Sequence, residues 1–168
     1  MTEAAASAAA EAPKQSGRVF LVVIDNSPEL RVAMRYACRR ANRTGGRVAL
    51  LHVTDDEEFR QFIGVSEVMR QESRQEAEAL VQKMAAEVQK LSGAMPVLYL
   101  REGNRRDELL KLIGEEPTIS ILILGASTNP KGPGPLVSAL TGKFVSRLRI
   151  PVTIVPGNLS DEDIESIA

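Results

Sequence analysis

From residue 18 onward the chain alternates short apolar runs rich in Val, Ile and Leu with longer stretches whose apolar residues recur every three to four positions. Runs of the first kind suit strands and those of the second suit helices; their alternation is the signature of βαβ units and a parallel sheet. Five strands are expected, over 19–24, 47–53, 96–101, 120–124 and 151–155, all as rich in branched apolar residues as strands covered on both faces should be.

Four helices fill the intervals. The first opens at Ser27-Pro28, where the hydroxyl is placed to cap free backbone N–H groups and proline presets the first helical φ. Its stripe of Leu30, Met34, Ala37, Cys38 and Ala41 ends at Gly45-Gly46. A longer helix over 66–91 turns Ala77, Leu80, Met84, Val88 and Leu91 to one face and leaves Arg70, Glu72, Arg74, Glu76 and Lys83 to a solvated one, after an acidic connection at 55–58. Asn104, three residues ahead of Asp107, opens a third helix that buries Leu109, Leu112 and Ile113. A fourth, over 136–149, sends Val137, Leu140, Phe144 and Leu148 inward.

These elements set the domain plan. Residues 1–17, rich in Ala and Ser, read as a disordered N-terminal tail, and 18–156 as one folded domain. Residues 157–168 read as an acidic tail. Within it, 160–165 can form one capped turn but is too short to add a core, so it is either disordered or a contact tag for a partner.

Two strand ends carry the functional signal. The segments Arg18-Val-Phe-Leu-Val-Val-Ile-Asp25-Asn-Ser27 and Ile121-Leu-Ile-Leu-Gly125-Ala-Ser-Thr128 each stop an apolar run at a residue suited to a ligand-facing turn. In a doubly wound sheet ligands bind outside the carboxyl ends of the strands where the strand order reverses, so these junctions side by side make a nucleotide-sized crevice. Asp25 there either accepts a hydrogen bond from a ligand or faces the positive end of the first helix.

Composition narrows the partners. The 21 basic and 22 acidic residues nearly balance, and two tyrosines, four phenylalanines and no tryptophan give no basic stacking surface for nucleic acid. No run approaches about 20 uninterrupted apolar residues, so no membrane span is expected. Cys38, the single cysteine, rules out an intramolecular disulfide and a cysteine-built metal site, and reads as a buried small hydrophobe in a reducing compartment.

Catalytic signatures are wanting. His52, the single histidine, has no Ser, Cys or second His at a triad or metal spacing, and reads as structural. Thr141-Gly-Lys143 fails as a P-loop, which would need glycine at Val137 and a hydroxyl at Phe144. Lys143, Arg147 and Arg149 read as a solvated basic stripe. No paired carboxylates are expected at the switch point, and no nucleophile has a neighbouring base, so the chain reads as no enzyme.

The strand-ending Asp25-Asn-Ser27, Leu50-Leu-His-Val53, Glu102-Gly103, and Gly125 with its spacing to Pro151-Val-Thr-Ile-Val155 together resemble the universal stress protein family over residues 18–156. The resemblance implies an α/β fold, a doubly wound five-stranded parallel sheet of order 3-2-1-4-5 with helices on both faces. It also implies a homodimer, in cytoplasmic proteins that accumulate under stress, many of which bind ATP. In those members a Gly-x2-Gly-x9-Gly-Ser/Thr pattern after the fourth strand holds phosphates and ribose, while positions matching Asp25 and Val53 meet the adenine or ribose. Laid on this chain without gaps, the pattern falls on Gly125, Thr128, Ser138 and Ala139, so the first glycine alone is kept.

Glycine at such turns lets backbone N–H groups approach anionic oxygens and tolerates positive φ, which Thr128 does only with strain. Ser138 adds a side chain where backbone should close on phosphate, and Ala139 removes a hydroxyl. The implied adenine-nucleotide pocket of Asp25, Val53, Gly125, Thr128, Ser138 and Ala139 is therefore degenerate, and no cofactor or metal is firmly implied. The alternative is an ATP- or AMP-binding switch using the same crevice, with a loop rebuilt on Lys131, Gly132 and Gly134. In the implied order the last strand is an apolar edge, best covered by the same strand of a second subunit through Val152, Ile154 and Val155. The sequence thus points to a homodimeric, non-catalytic stress-response protein that acts through contacts with an unidentified protein partner.

Overall fold

A computed structural model describes residues 17–55 and 67–168. The tail expected over 1–17, the acidic connection after Asp55 and the start of the second helix at Ser66 lie outside the described residues, apart from Gly17. The elements, in chain order, are β1 (Val19–Ile24), α1 (Glu29–Thr44), β2 (Arg47–Asp55), α2 (Glu67–Ser92), β3 (Val97–Gly103), α3 (Arg105–Glu115), β4 (Ile119–Ala126), α4 (Pro135–Thr141), a 3-10 turn (Val145–Arg147), β5 (Val152–Pro156) and α5 (Asp161–Ile167).

The strands pair in parallel in the order β3-β2-β1-β4-β5. Alternate residues of each central strand enter different layers, because successive side chains of a strand point to opposite faces. Phe20, Val22, Ile24, Val48 and Leu50 pack with Leu30, Met34 and Cys38 of α1 and with Val81, Met84 and Val88 of α2. Leu21, Val23, Leu51, Val53, Leu122 and Leu124 pack on the other face with Leu109, Leu112 and Ile113 of α3 and Val137 and Leu140 of α4. Each large side chain buried in this way contributes about 1.5–3 kcal/mol. The helix that follows β1 therefore lies on one face and the helix that follows β4 on the other, which leaves a crevice between the carboxyl ends of these neighbouring strands.

Helix ends follow local chemistry. Gly45 closes α1 in the left-handed region at φ 67°, and the Asn104 side chain caps α3 by accepting from the Asp107 N–H at 3.1 Å. At the start of α1 the expected cap is absent: Pro28 occupies the cap position without a side-chain bond. The Ser27 hydroxyl instead donates to Asp25 Oδ1 at 2.6 Å, a closer and charged acceptor.

The fourth helix is shorter than its apolar period suggests. α4 ends at Thr141, Gly142 follows with φ −107° and ψ −118°, outside helical geometry, and the chain resumes as a single 3-10 turn. Phe144 and Leu148 still pack against the core, as expected of inward positions. Lys143 and Arg147 do not form a helical stripe; they and Arg106 converge on the ring of Phe144, with Arg106 stacked 4.0 Å from its centre. Arg149 turns away to donate to the carbonyls of Ile113 at 2.7 Å and Glu116 at 2.6 Å.

The terminal segment is the largest departure from expectation. It folds as α5, with Ser160 and Asp163 exchanging capping bonds at both backbone positions, and it adds a core residue: Ile164 is 1% exposed. α5 lies against α1, where Arg35 meets Asp161 at 3.3 Å, Arg39 pairs with Glu165, and Arg43 donates to the main-chain oxygens of Glu165 and Ala168. An isolated seven-residue helix does not hold itself in water; one packed on a cationic, partly apolar helix does. Among the described residues no helix is long and apolar enough to cross a membrane.

Candidate functional site

The crevice at the β1–β4 junction is lined by Val23, Asp25 and Ser27 from β1 and its turn, by Glu29, Leu30 and Ala33 of α1, by Arg105 at the start of α3, and by residues of β4, its loop and α4. Asp25 is half-buried, and its Oδ1 accepts twice from Ser27, from the N–H at 2.9 Å and the hydroxyl at 2.6 Å. These bonds fix the carboxylate at the rim and occupy one of its oxygens.

Gly125 has a packing reason to be glycine. A Cβ there would stand 2.6 Å from the Glu29 carbonyl oxygen and 2.8 Å from Glu29 Cβ, so the first turn of α1 rests directly on the end of β4. Gly157, just past β5, is held in the same corner: its N–H donates to Ala126 O at 2.8 Å, and an added Cβ would lie 2.9 Å from that oxygen.

The loop after β4 is a set of small turns. Ser127 N–H donates to Pro133 O at 3.1 Å, Ser127 Oγ accepts from Asn129 N–H at 3.1 Å, and Asn129 Oδ1 accepts from Lys131 N–H at 3.2 Å. Positive φ is taken by Gly132 and Gly134, at 111° and 112°, and by no non-glycine residue among those described. The strain expected at Thr128 therefore does not arise; the turn that requires glycine lies farther along the loop. Lys131 is exposed and outside the crevice lining. The amino end of α4 faces the crevice through Gly134 and Pro135, but Pro135 has no N–H to offer and seven residues sum to a short dipole.

Of the six residues read as a pocket, the structure brings Asp25 and Gly125 onto the crevice. Val53, Thr128, Ser138 and Ala139 stand outside its lining; Val53 is buried in the α3–α4 layer, and Thr128 and Ser138 are exposed. His52 is also outside the lining. Two residues that the sequence reading passed over, Glu29 and Arg105, are in it. Glu29 adds a second acidic residue to the lining that holds Asp25. The signal was available: both are the first residue of a helix that follows a strand end on the ligand side of the sheet.

Arg105 is distinctive because its Nε is buried without an acceptor among the described residues, an arrangement that costs about 1–3 kcal/mol unless something meets it. The crevice therefore combines two carboxylates and one guanidinium, with neither histidine nor cysteine among its described lining residues. Its volume is about 90 Å³. The crevice is partly open to solvent, so this volume describes its floor and does not bound what can lie across it.

Cys38 lies away from this site, fully buried in the α1 layer. Burial pushes its thiol up to about 12, against a smaller opposing pull from Arg35.

The sequence model of the universal stress protein family matches residues 17–156. Among solved structures, a universal stress protein UspA from Lactobacillus plantarum superposes with a TM-score of 0.63 at 21% identity, covering 82% of this chain and 97% of that one. A universal stress family protein from Burkholderia pseudomallei gives 0.61 at 19%, covering 86% and 99%. A universal stress protein in complex with cAMP gives 0.56 at 14%, covering 84% and 98%. No match is found among the curated proteins.

Proposed function

Because the chain belongs to the universal stress protein family, we propose that it is a cytoplasmic, homodimeric and non-catalytic stress-response protein whose output runs through contacts with a protein partner and not through a bound triphosphate. The observation that carries this reading is the charge of the crevice, which Asp25 and Glu29 line against the single guanidinium of Arg105. A triphosphate would bring three to four negative charges, by ordinary phosphate ionisation, against two carboxylates and a single guanidinium. The glycines that should admit its oxygens are replaced at Thr128 and Ser138, while the positive-φ turns sit at Gly132 and Gly134.

Dimerisation is read from β5. It is an edge of the sheet with Ile154 39% exposed, Val152 half-buried and no charge along it, which is an invitation to pair. Val155 is already covered within its own subunit, so the contact falls on Val152 and Ile154.

One observation favours a second reading, an AMP- or ATP-binding switch. The unmet Nε of Arg105 lines the same crevice as Asp25 and Gly125, and a structural relative has been captured with cAMP. An absorption spectrum of the purified protein separates the two. Without tryptophan, and with Tyr36 and Tyr99 as its tyrosines, the chain should show a weak tyrosine band; a stoichiometric adenine band would overturn the first reading. Light scattering should give twice the chain mass, and Ile154→Arg should halve it.

A further inference from the structure

The α1–α5 contact has the form of a receptor with its ligand in place. We infer that the arginine stripe of α1 is a docking surface for an acidic amphipathic helix of a partner protein, and that the chain's own α5 occupies it in the partner's absence. This rests on the reading that output runs through partner contacts, and it supplies the partner's chemistry.

The stripe is built on one period. Arg35, Arg39 and Arg43 stand four residues apart, so their charges line up along one face of α1 and repel one another unless an acidic element covers them. α5 is such an element. It presents Asp161 to Arg35, Glu165 to Arg39, and two main-chain oxygens to Arg43, with Ile164 buried as its large apolar anchor. The pattern that fits is therefore a capped helix with acids four residues apart and a branched apolar residue just before the second acid.

Two features make the resident helix displaceable. It is only seven residues long, and its ion pairs are open to solvent, the carboxylate side chains being 72% and 56% exposed, so each is weak and screened by salt. The fit is also incomplete: Arg39 Nε is buried with no acceptor among the described residues. A partner helix that supplies this acceptor gains what α5 leaves unmade.

The test uses the full chain and a fluorescent peptide with the sequence of residues 157–168. Ile164→Asp should free the stripe in cis while circular dichroism and the thermal transition report the fold; Asp161→Arg with Glu165→Arg frees it by charge alone should the first variant fail to fold. The peptide is expected to bind the freed chain saturably, at least ten-fold more tightly than wild type, and to lose binding at high salt. Adding Arg39→Glu should abolish binding, and a peptide carrying Glu165→Arg should restore it. Absence of binding to a folded, freed chain, or binding indifferent to Arg39, overturns the inference. Mixed chains carrying Arg39→Cys and Glu165→Cys that cross-link between subunits would make the occupant a second copy, and overturn it too. An adenine nucleotide in the crevice would defeat the functional reading while leaving the peptide result standing.

Discussion

Gly125→Ala tests whether this glycine serves the packing of α1 or the approach of a ligand. In an unconstrained strand the change should help, since alanine removes unfolded-chain entropy and suits a strand better by about 0.5–1 kcal/mol. Here the new methyl would lie 2.6 Å from the carbonyl oxygen, 2.8 Å from Cβ and 3.0 Å from the carbonyl carbon of Glu29. Two of these are backbone atoms of a helix whose next residues, Leu30, Ala33 and Met34, are fixed in the core. The first turn of α1 must lift, and forced overpacking of this kind costs about 1–3 kcal/mol. We expect a net loss of about 1–2 kcal/mol in urea unfolding with an unchanged m-value, and a Tm lower by about 2–8 °C for a chain of this size. Amide exchange should accelerate in the first turn of α1 and not in α2. A Gly125→Ala protein as stable as wild type, or more so, would refute the packing argument and return the glycine to ligand binding.

Other expectations follow from single groups. Cys38→Ala should flatten the alkaline limb of the stability curve: the buried thiol ionises near 12 against about 9 when exposed. Stability is therefore intact below about 9 and falls by up to about 4 kcal/mol as pH rises towards 12, a loss that equilibrium unfolding should find missing in the variant. The same burial should keep Cys38 inert to thiol reagents until the chain unfolds. Ser160 N–H holds the Asp163 carboxyl below its usual range, so amide protection in the first turn of α5 should be full at neutral pH and weaken as acid protonates Asp163, with Asp163→Asn showing the weakened level at all pH. Phe144→Ala should remove the surface on which Arg106 stacks and cost about 1–3 kcal/mol, less than the usual 3–5 for a fully buried ring because Phe144 is half-exposed.

The sheet was legible in the sequence because strands buried on both faces leave unbroken apolar runs, and because Gly45 and Asn104 end and begin helices by chemistry confined to a few residues. The junction of Asp25 and Gly125 was legible for the same reason, being a property of strand ends. Ser27 was ambiguous locally: its hydroxyl is as well placed for a helix N–H as for Asp25, and the charged acceptor won. The fourth helix looked four turns long because Phe144 and Leu148 keep the apolar period while the backbone, released at Gly142, does not keep the helix. α5 was hidden because what stabilises it is the arginine stripe of α1 more than a hundred residues earlier. Glu29 and Arg105 each open a helix after a strand end on the ligand side, a signal the sequence carries; what it leaves out is that both residues line one crevice.

The proposed function stands on the crevice at the strand ends not taking an adenine nucleotide. Isothermal titration of the protein with ATP, and separately with AMP, addresses it directly. The account expects dilution heats alone at micromolar and higher nucleotide, with no change when Asp25 is replaced by Ala. A saturable heat at micromolar concentration, lost in Asp25→Ala or in Arg105→Ala, would contradict it.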